Sequence, residues 1–289
     1  MEPNTRVTLM SFADSRMKNA LKTLRGQAEA FGVFSDIHTL TERDLDPDFL
    51  REYGRRLSRE TPGYGYWLWK PQVIRQVLKT LSDGDVLLYL DAGCRLNQGG
   101  LDRFLDYLDD VKRSESGILA SQLDFVEKYW TKPEVFRFFG VEGDSKITDT
   151  GQMQSGLVFL RVQESTREFV DTWLNTMTSD EFLINNAPSR LDLPDGFVKH
   201  RHDQSVFSVM AKIHGAIAFS ADEVWAPKVN VSPNRSYRDW SQLADYPIHA
   251  KREIFTPLRK TVVEVQKYFA KLRRRTFRWV GTRLKRLWG

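Results

Sequence analysis

Asp85-Val86-Leu87-Leu88-Tyr89-Leu90-Asp91-Ala92-Gly93-Cys94 decides the fold class. An unbroken apolar run between a turn signal, Ser82-Asp83-Gly84, and a carboxylate predicts a short strand covered on both faces. Strands of that kind belong to mostly parallel sheets with helices on either side. In open α/β sheets, ligands bind outside the carboxyl ends of the strands, and Asp91 stands at such an end. Ala92 and Gly93 are small enough to let a ligand approach the backbone. Asp91 therefore has two readings. It reaches a bound ion or substrate, or it caps the next turn as an ordinary strand-end carboxylate. In the first reading a hard cation such as Mg²⁺ or Mn²⁺ would take oxygen ligands there and bridge a diphosphate.

Outward from that strand, the pattern alternates between the periods of strand and helix. Val7 to Phe12 reads as a strand. Met17, Ala20, Leu21, Leu24 and Ala28 follow helical spacing up to Gly32, and Val33 to Leu40 reads as a second strand. Thr41 to Glu60 is polar. The glycines and prolines of Thr61 to Pro71 forbid a regular helix, and Pro71 suits the first turn of one over 72–81. A helix over 101–112, a strand over 117–121, a buried strand over 155–160 and a helix over 164–177 follow. Residues 179–197 read as a loop, 203–213 as a helix and 216–219 as a strand. Alternation over residues 5–220 argues an α/β fold with a mostly parallel sheet flanked by helices. Residues 222–256 are poorly regular.

The 289 residues carry a formal net charge of +5. The segment Arg259 to Gly289 contains eleven Lys/Arg and only Glu264 as an acid, a net of +10, so the remainder of the chain sums to −5. Val262, Val265, Phe269, Leu272, Val280, Leu284 and Leu287 form a helical stripe within this basic tail, with Trp279 and Trp288 beside it. A basic amphipathic helix over 257–289 suits an anionic membrane surface. A solvated helix packed on its own domain is the plainer reading, and nucleic acid, which attracts the same charge, the less favoured one. The division is a domain over 1–256 and a tail over 257–289. A single cysteine, Cys94, excludes an intramolecular disulfide framework and a cysteine-based zinc site. With no signal-peptide pattern and no long apolar run, the expected location is cytoplasmic, peripheral at the inner face of a membrane.

Two further stretches carry chemistry. Gly63-Tyr64-Gly65-Tyr66-Trp67-Leu68-Trp69-Lys70-Pro71 places four aromatics in a glycine-rich loop. They could stack on a base or a sugar, with Lys70 near a phosphate, or plug the core. The core reading is the more general one, but a buried lysine needs a partner. His200-Arg201-His202-Asp203-Gln204-Ser205 precedes an apolar helix that Asp203 could cap, and His200 reads as a surface residue. Two histidines at that spacing make a weak zinc signal. No P-loop, nucleophile elbow or complete G-x-G-x-x-G is present.

Taken together these residues resemble a family. Leu87 to Ala92 resembles the strand and DxD region of GT-A fold, nucleotide-sugar-dependent glycosyltransferases. Gln154-Ser155-Gly156-Leu157-Val158-Phe159 resembles a second strand of those enzymes. His202-Asp203-Gln204-Ser205 resembles the Asp-Gln helix start of retaining members of glycosyltransferase family eight. Tyr64 to Pro71 with Asp91 to Cys94 is similar to bacterial capsule and surface-polysaccharide transferases. The likeness spans residues 5–255. It implies a Leloir-type, hexosyltransferase-like enzyme using a nucleotide-sugar donor, UDP-linked by expectation, and a glycan or lipid-linked acceptor. It implies that Ser11, Phe12 and Asp14 line the base pocket, that Trp69 and Lys70 meet the donor, and that Asp91, Ala92 and Gly93 form the diphosphate and metal region. Gln154, Asp203 and Gln204 would stand at the donor sugar and reaction centre, with Asp203 nearest the chemistry. The metal, Mn²⁺ or Mg²⁺, would be held by Asp91 and His249. Gly93 departs from the pattern, because it stands where the second carboxylate of DxD belongs and removes a metal ligand. The competing functions are a sugar nucleotidyltransferase on a similar sheet and a non-catalytic glycan- or nucleic-acid-binding module.

The charge and stripe of the tail yield a direct expectation. Removing residues 257–289 should release the protein from anionic vesicles in a co-sedimentation assay; undiminished binding would contradict the membrane reading.

Overall fold

Val7-Thr8-Leu9-Met10-Ser11-Phe12 is buried at every position and forms the inner strand β1 (Val7–Phe12) of a computed structural model that describes residues 5–232 and 235–251. The expected amphipathic helix over 257–289 and the boundary at 256 lie outside those residues. Asp14 caps a single 3-10 turn, and α1 (Lys18–Phe31) ends at Gly32, whose left-handed backbone (φ 75°) suits glycine. The second strand, β2 (Asp36–Leu40), starts later than the sequence pattern expects. The polar stretch 41–60 contains a helix that periodicity misses, α2 (Pro47–Tyr53). Its signal is local: Asp46 accepts hydrogen bonds from the backbone of Asp48 and Phe49, and Pro47 occupies the first turn.

The turn α3 (Gly63–Tyr66) is not an ordinary helix, and α4 (Trp69–Leu78) begins directly after it. The apolar run that opens the sequence reading is β3 (Val86–Leu90), fully buried. The short β4 (Arg95–Leu96) and the helix α5 (Leu101–Arg113) follow. Next come β5 (Ile118–Val126), two short helices α6 (Pro133–Phe139) and α7 (Ser145–Thr148), and the long β6 (Gly151–Arg161). Then come α8 (Glu164–Ser179), α9 (Asp203–Ile213) and β7 (Ile217–Ser220). The stretch read as poorly regular holds a hairpin, β8 (Lys228–Ser232) with β9 (Arg235–Arg238), and β10 (Ile248–His249).

The main sheet has the order β2-β1-β3-β6-β5-β7. β1 pairs in parallel with β2 and β3, and β5 with β7, while β6 runs antiparallel to both β3 and β5. The sheet is therefore mostly parallel with one reversed strand. Composition cannot show that reversal, because a strand buried on both faces reads the same in either direction. Alternation along β3 sends Leu87 and Tyr89 into the core under α4, α8 and α9, and Val86, Leu88 and Leu90 into the core under α1 and α5.

Two features of this sheet position the site. β1 is flanked by β2 on one side and β3 on the other, so the successive connections run to opposite sides of it, the topology that leaves a crevice at the carboxyl ends of such strands. Open α/β sheets bind ligands at such a switch point. Ala13 and Ala92 pack with Leu21 there. The second feature is a bulge in β6: Ala120 pairs with Val158 and Gln122 with Met153, so a short step on β5 is matched by a much longer one on β6. Gln154, Ser155 and Gly156 lie in that excess. Beyond the crevice, β10 pairs with β4 antiparallel, bringing the late irregular segment onto the loop after Asp91. A Cβ on Gly100 would stand 2.2 Å from the Pro247 nitrogen, so only glycine permits that approach. Among the described residues, no helix is long and apolar enough to cross a membrane.

Candidate active site

At the carboxyl end of β3 lies a buried charge cluster. The Lys70 Nζ is 2.7 Å from Asp203 Oδ2 and 3.4 Å from Asp91 Oδ1. It also donates to Ser155 Oγ at 3.2 Å, and that hydroxyl donates to Asp203 Oδ2 at 2.7 Å. From the floor, Tyr89 Oη donates to Asp91 Oδ1 at 2.8 Å. The Lys70 side chain is 2% exposed and that of Asp203 5%, whereas Asp91 is 33% exposed. One carboxylate of the cluster thus reaches solvent, over a cation and a second carboxylate that do not. With one ammonium against two carboxylates, the cluster carries a net charge of −1, presented at the mouth of the crevice.

The ionisation follows from these contacts. Burial works to discharge Lys70, but Asp203 and Asp91 outweigh it and hold its pKa above the ordinary lysine value. Burial, reinforced by the neighbouring Asp91 carboxylate, pushes the Tyr89 phenol well above its usual range. Tyr89 therefore stays a neutral donor to Asp91. The side of Asp91 away from Tyr89 faces Gly156: a Cβ there would stand 2.5 Å from Asp91 Oδ2. Gly156 also accepts a hydrogen bond from the Asp91 backbone nitrogen at 2.9 Å.

Lys70 and Asp203 are brought together by unusual backbone on both sides. Gly63, Tyr64, Gly65, Tyr66 and Trp67 all have positive φ, from 54° to 92°. Left-handed backbone costs about 1–2 kcal/mol for each non-glycine residue, so this turn is held by its surroundings. The Trp69 indole donates to the Gly63 carbonyl at 2.9 Å, and Gly65 lies so close to Arg56 that a Cβ would come within 2.6 Å of its carbonyl oxygen. On the other side, His202, just before Asp203, also has positive φ (54°). Its ring stacks 5.6 Å from that of Trp67 and lies 5.0 Å from that of Tyr66. The two strained segments clasp each other one residue before Asp203 and three before Lys70.

The structure separates the residues expected at the site. Asp91, Lys70 and Asp203 meet. Asp203 does not cap α9; His202 holds that position, and the Asp203 side chain turns to Lys70 and Ser155. Gln154 Oε1 accepts from Ser121 Oγ and from the Trp225 indole at 3.4 Å. Gln204 donates to Gln152 at 2.5 Å, and Gln152 donates to Glu127 at 2.9 Å. That carboxylate, fully buried, also pairs with Lys212 at 2.8 Å. Gln204 thus belongs to a buried polar ladder along α9.

Other expected donor contacts lie elsewhere. Phe12 and Trp69 are buried and stack on each other at 4.1 Å, and the Ser11 hydroxyl is buried in the sheet without a hydrogen-bond partner. Asp14 is held by Arg16 in a two-pronged ion pair. Ala92 is buried with Ala13 and Leu21, and Gly93 stands in the turn after Asp91. Lys70 is too deeply buried to extend to a diphosphate in this conformation. It acts from beneath Asp91.

His249 does not pair with Asp91: its Nε2 is 2.9 Å from the Leu243 carbonyl oxygen, and its ring packs on Trp240. Among the described residues, no group of three His, Cys, Asp or Glu gathers as a metal cage. What remains is one half-open carboxylate over a site of net negative charge. That fits a hard cation that keeps most of its water and shares its other ligands with a bound phosphate. His200, read as a surface residue, is buried. Its Nδ1 accepts from the Lys132 backbone nitrogen at 3.3 Å and its Nε2 faces the Leu183 carbonyl at 2.8 Å, which fixes a neutral ring. Burial, with Lys132 and His202 adding to it, holds its pKa well below the usual value.

Sequence reasoning missed Tyr89, Ser155 and Gly156 as parts of the cluster. Tyr89 was within reach, since strand alternation puts it on the same face as Asp91. Ser155 was not, because only the β6 bulge aims it at α9.

No protein-family profile and no curated protein matches the chain. Several solved glycosyltransferases are similar to it in structure. One is involved in glycosylation of the major capsid of PBCV-1 (11% identical, TM-score 0.46, covering 87% of this chain and 94% of that one). Another is mouse xyloside xylosyltransferase 1 (10%, 0.44, covering 87% and 99%). A third is core-mannan synthase A from Aspergillus fumigatus in a Mn/GDP form (12%, 0.43, covering 85% and 83%).

Two measurements follow from the site. Lys70→Met leaves the Asp203 carboxylate buried without its cation, beside the Asp91 carboxylate, and should cost about 3–5 kcal/mol in urea denaturation. Adding Asp203→Asn should recover part of that loss; strictly additive effects would show that the two side chains are not coupled. His200 has a folded pKa depressed below its unfolded value, so the unfolded state binds more protons between the two. Stability should therefore be complete above about pH 6.5 and fall as pH drops below it. His200→Gln should flatten that slope in thermal unfolding between pH 7.5 and 5, and an unchanged slope would remove His200 as its source.

Proposed function

We propose that the chain is a glycosyltransferase of the GT-A type, moving a sugar from a nucleoside-diphosphate sugar to an acceptor hydroxyl. One observation carries this reading: a solvent-reaching carboxylate, Asp91, stands on a buried lysine that is also paired with Asp203, at the β1–β3 switch point. In the reaction, the bond between the anomeric carbon and the diphosphate oxygen breaks. A bond from that carbon to the acceptor oxygen forms, and the proton of the acceptor hydroxyl is released with the diphosphate. Negative charge grows on the departing diphosphate, so the site needs positive charge held close to it.

Asp91 would hold a Mn²⁺ or Mg²⁺ shared with the diphosphate, and that cation would supply the charge. The chain's own groups keep Asp91 ready. Tyr89 and Lys70 fix one of its oxygens and stop the carboxylate from collapsing into the core. Gly156 leaves the other oxygen room. Lys70 holds the Asp203 side chain in place at the start of α9, where the helix dipole also favours a carboxylate. Gln154, held through its amide oxygen, has its amide nitrogen as a donor for a sugar hydroxyl. The donor in this proposal is a UDP-sugar. The acceptor is a surface glycan or its lipid-linked precursor, approached through the basic tail at a membrane surface.

The test is the thermal stability of the full chain with a panel of nucleotide sugars, each with and without Mn²⁺. A ligand at 100 times its Kd should add about 2.7 kcal/mol. Stabilisation by one donor, larger with Mn²⁺, is the expected result. Asp91→Asn should remove the Mn²⁺ increment and lower transfer on the order of 100-fold without unfolding the chain. Release of pyrophosphate from a nucleoside triphosphate and a sugar phosphate would instead identify a nucleotidyltransferase. No stabilisation by any donor would sink the transferase reading.

A further inference from the structure

Beneath the start of α9 lies a buried carboxylate that no ligand can touch. Glu127 stands in the single 3-10 turn after β5 and is fully buried. Its Oε2 accepts from Lys212 Nζ at 2.8 Å and from Ser208 Oγ. Its Oε1 accepts from Thr131 Oγ1 at 2.6 Å and from Gln152 Nε2 at 2.9 Å. Gln152 Oε1 in turn accepts from Gln204 Nε2 at 2.5 Å, and Gln204 directly follows Asp203. Gln152 and Thr131 are sealed from solvent, whereas Gln204 is 8% exposed.

The partners decide which way each amide points. One end of a glutamine amide donates and the other accepts, so a partner of one kind fixes the orientation. Lys212 has only donors, and it meets Glu127 as an ion pair. Ser208 Oγ accepts from the Met153 backbone nitrogen at 2.8 Å, and its own proton goes to Glu127. Glu127 therefore meets Gln152 as an acceptor. Gln152 turns its NH2 toward Glu127 and its oxygen toward Gln204. Gln204 must then give its NH2 to Gln152, which leaves its own oxygen as the free end. Among the described residues nothing donates to that oxygen, and it is not one of the sealed polar atoms without a partner.

This free oxygen belongs to the reaction centre by its connections. The first turn of α9 is clipped to β6 at two neighbouring points, Asp203 to Ser155 at 2.7 Å and Gln204 to Gln152. Gln154 is held with the opposite polarity. The Trp225 indole can only donate, so the Gln154 oxygen is turned to it and the NH2 is the free end. The two amides thus offer one acceptor and one donor, and sugar hydroxyls match both because each can give and take a hydrogen bond. Stability requires only that the buried groups be paired, and either polarity of the relay would pair them. The polarity matters to a group outside the ladder.

We propose that Glu127 is a positioning residue that acts through Gln152 to set the Gln204 amide oxygen outward, as the acceptor for a hydroxyl of the donor sugar. The proposal rests on the transferase reading, since it assigns a specificity device to that same site.

The test uses the full chain with Mn²⁺ and isothermal titration of UDP, UDP-glucose, UDP-galactose and UDP-N-acetylglucosamine. The readout is the Kd of UDP divided by that of the best-bound UDP-sugar, which isolates what the sugar contributes. Gln204→Met removes the outward oxygen and should lower this ratio about three- to tenfold, the worth of one hydrogen bond, with the Kd of UDP unchanged. Glu127→Gln, made together with Lys212→Met so that no charge is buried alone, lets position 127 offer an NH2 and so reverses both amides. It should lower the ratio by the same factor, and adding Gln204→Met to it should cost nothing more. Where that pair is too unstable to titrate, Gln152→Met cuts the same relay and should give the same loss. A ladder that serves stability alone would lower the thermal midpoint and leave the ratio at its parent value. That result would overturn the positioning role while UDP-sugar binding kept the transferase reading alive. Failure of every UDP-sugar to bind would remove both.

Discussion

The ammonium of Lys70 is the constraint around which the rest of the site is arranged. A buried lysine without counter-charges would lose its proton or unfold the region. Here Asp203 and Asp91 both lie within 3.4 Å, and Ser155 occupies a further donor direction. Meeting that requirement brings together α4, β3, β6 and α9, which are far apart in sequence. Each element contributes something only that side chain needs: a helix start for Lys70, a strand end for Asp91, a bulge for Ser155 and a helix start for Asp203. The reward for burying the cation is an outward carboxylate whose position is fixed from below. That is the form of preorganisation that electrostatic catalysis requires.

The backbone shows where that arrangement costs free energy. Three non-glycine residues of the 63–67 turn and His202 hold left-handed backbone. Strain of that kind persists where packing over-determines it, and it collects at functional sites. Both strained segments touch through the Trp67–His202 stack, so each helps to hold the other. Stability is supplied elsewhere, by two cores on either face of the sheet and by the polar ladder of Glu127, Gln152, Ser208 and Lys212 beneath α9. Because that ladder is saturated with partners, α9 has little freedom to rotate, and Asp203 keeps its bearing on Lys70.

Asp91 and the Gln154 bulge share one edge of the sheet for a single geometrical reason. β3 and β5 point the same way, with β6 reversed between them. Asp91, the Gln154 bulge and the start of α9 therefore meet along one edge. Had β6 run parallel, its Gln-Ser-Gly segment would have left the sheet at the far edge from Asp91.

The sequence by itself determined the α/β class, the buried strand ending at Asp91, the helices with clear periodicity and the partner requirement of a buried Lys70. These are local properties: period, turn residues and the cost of burying charge are written in neighbouring residues. It also hinted at what was overlooked, the Asp46-Pro47 helix start and the shared face of Tyr89 and Asp91. Tertiary structure alone decided the rest. Strand direction, the β6 bulge and the left-handed turn depend on contacts between distant segments, and these decide whether a side chain faces a ligand or the core. For that reason Phe12, expected by resemblance in the base pocket, and Trp69, plausible as a ring-stacking residue in a linear reading, became partners of each other. His249, read as a metal ligand, turned to a backbone carbonyl. Asp203, expected near the reaction centre with capping as its plainer reading, became the counter-charge of a lysine that lies 133 positions earlier in the chain.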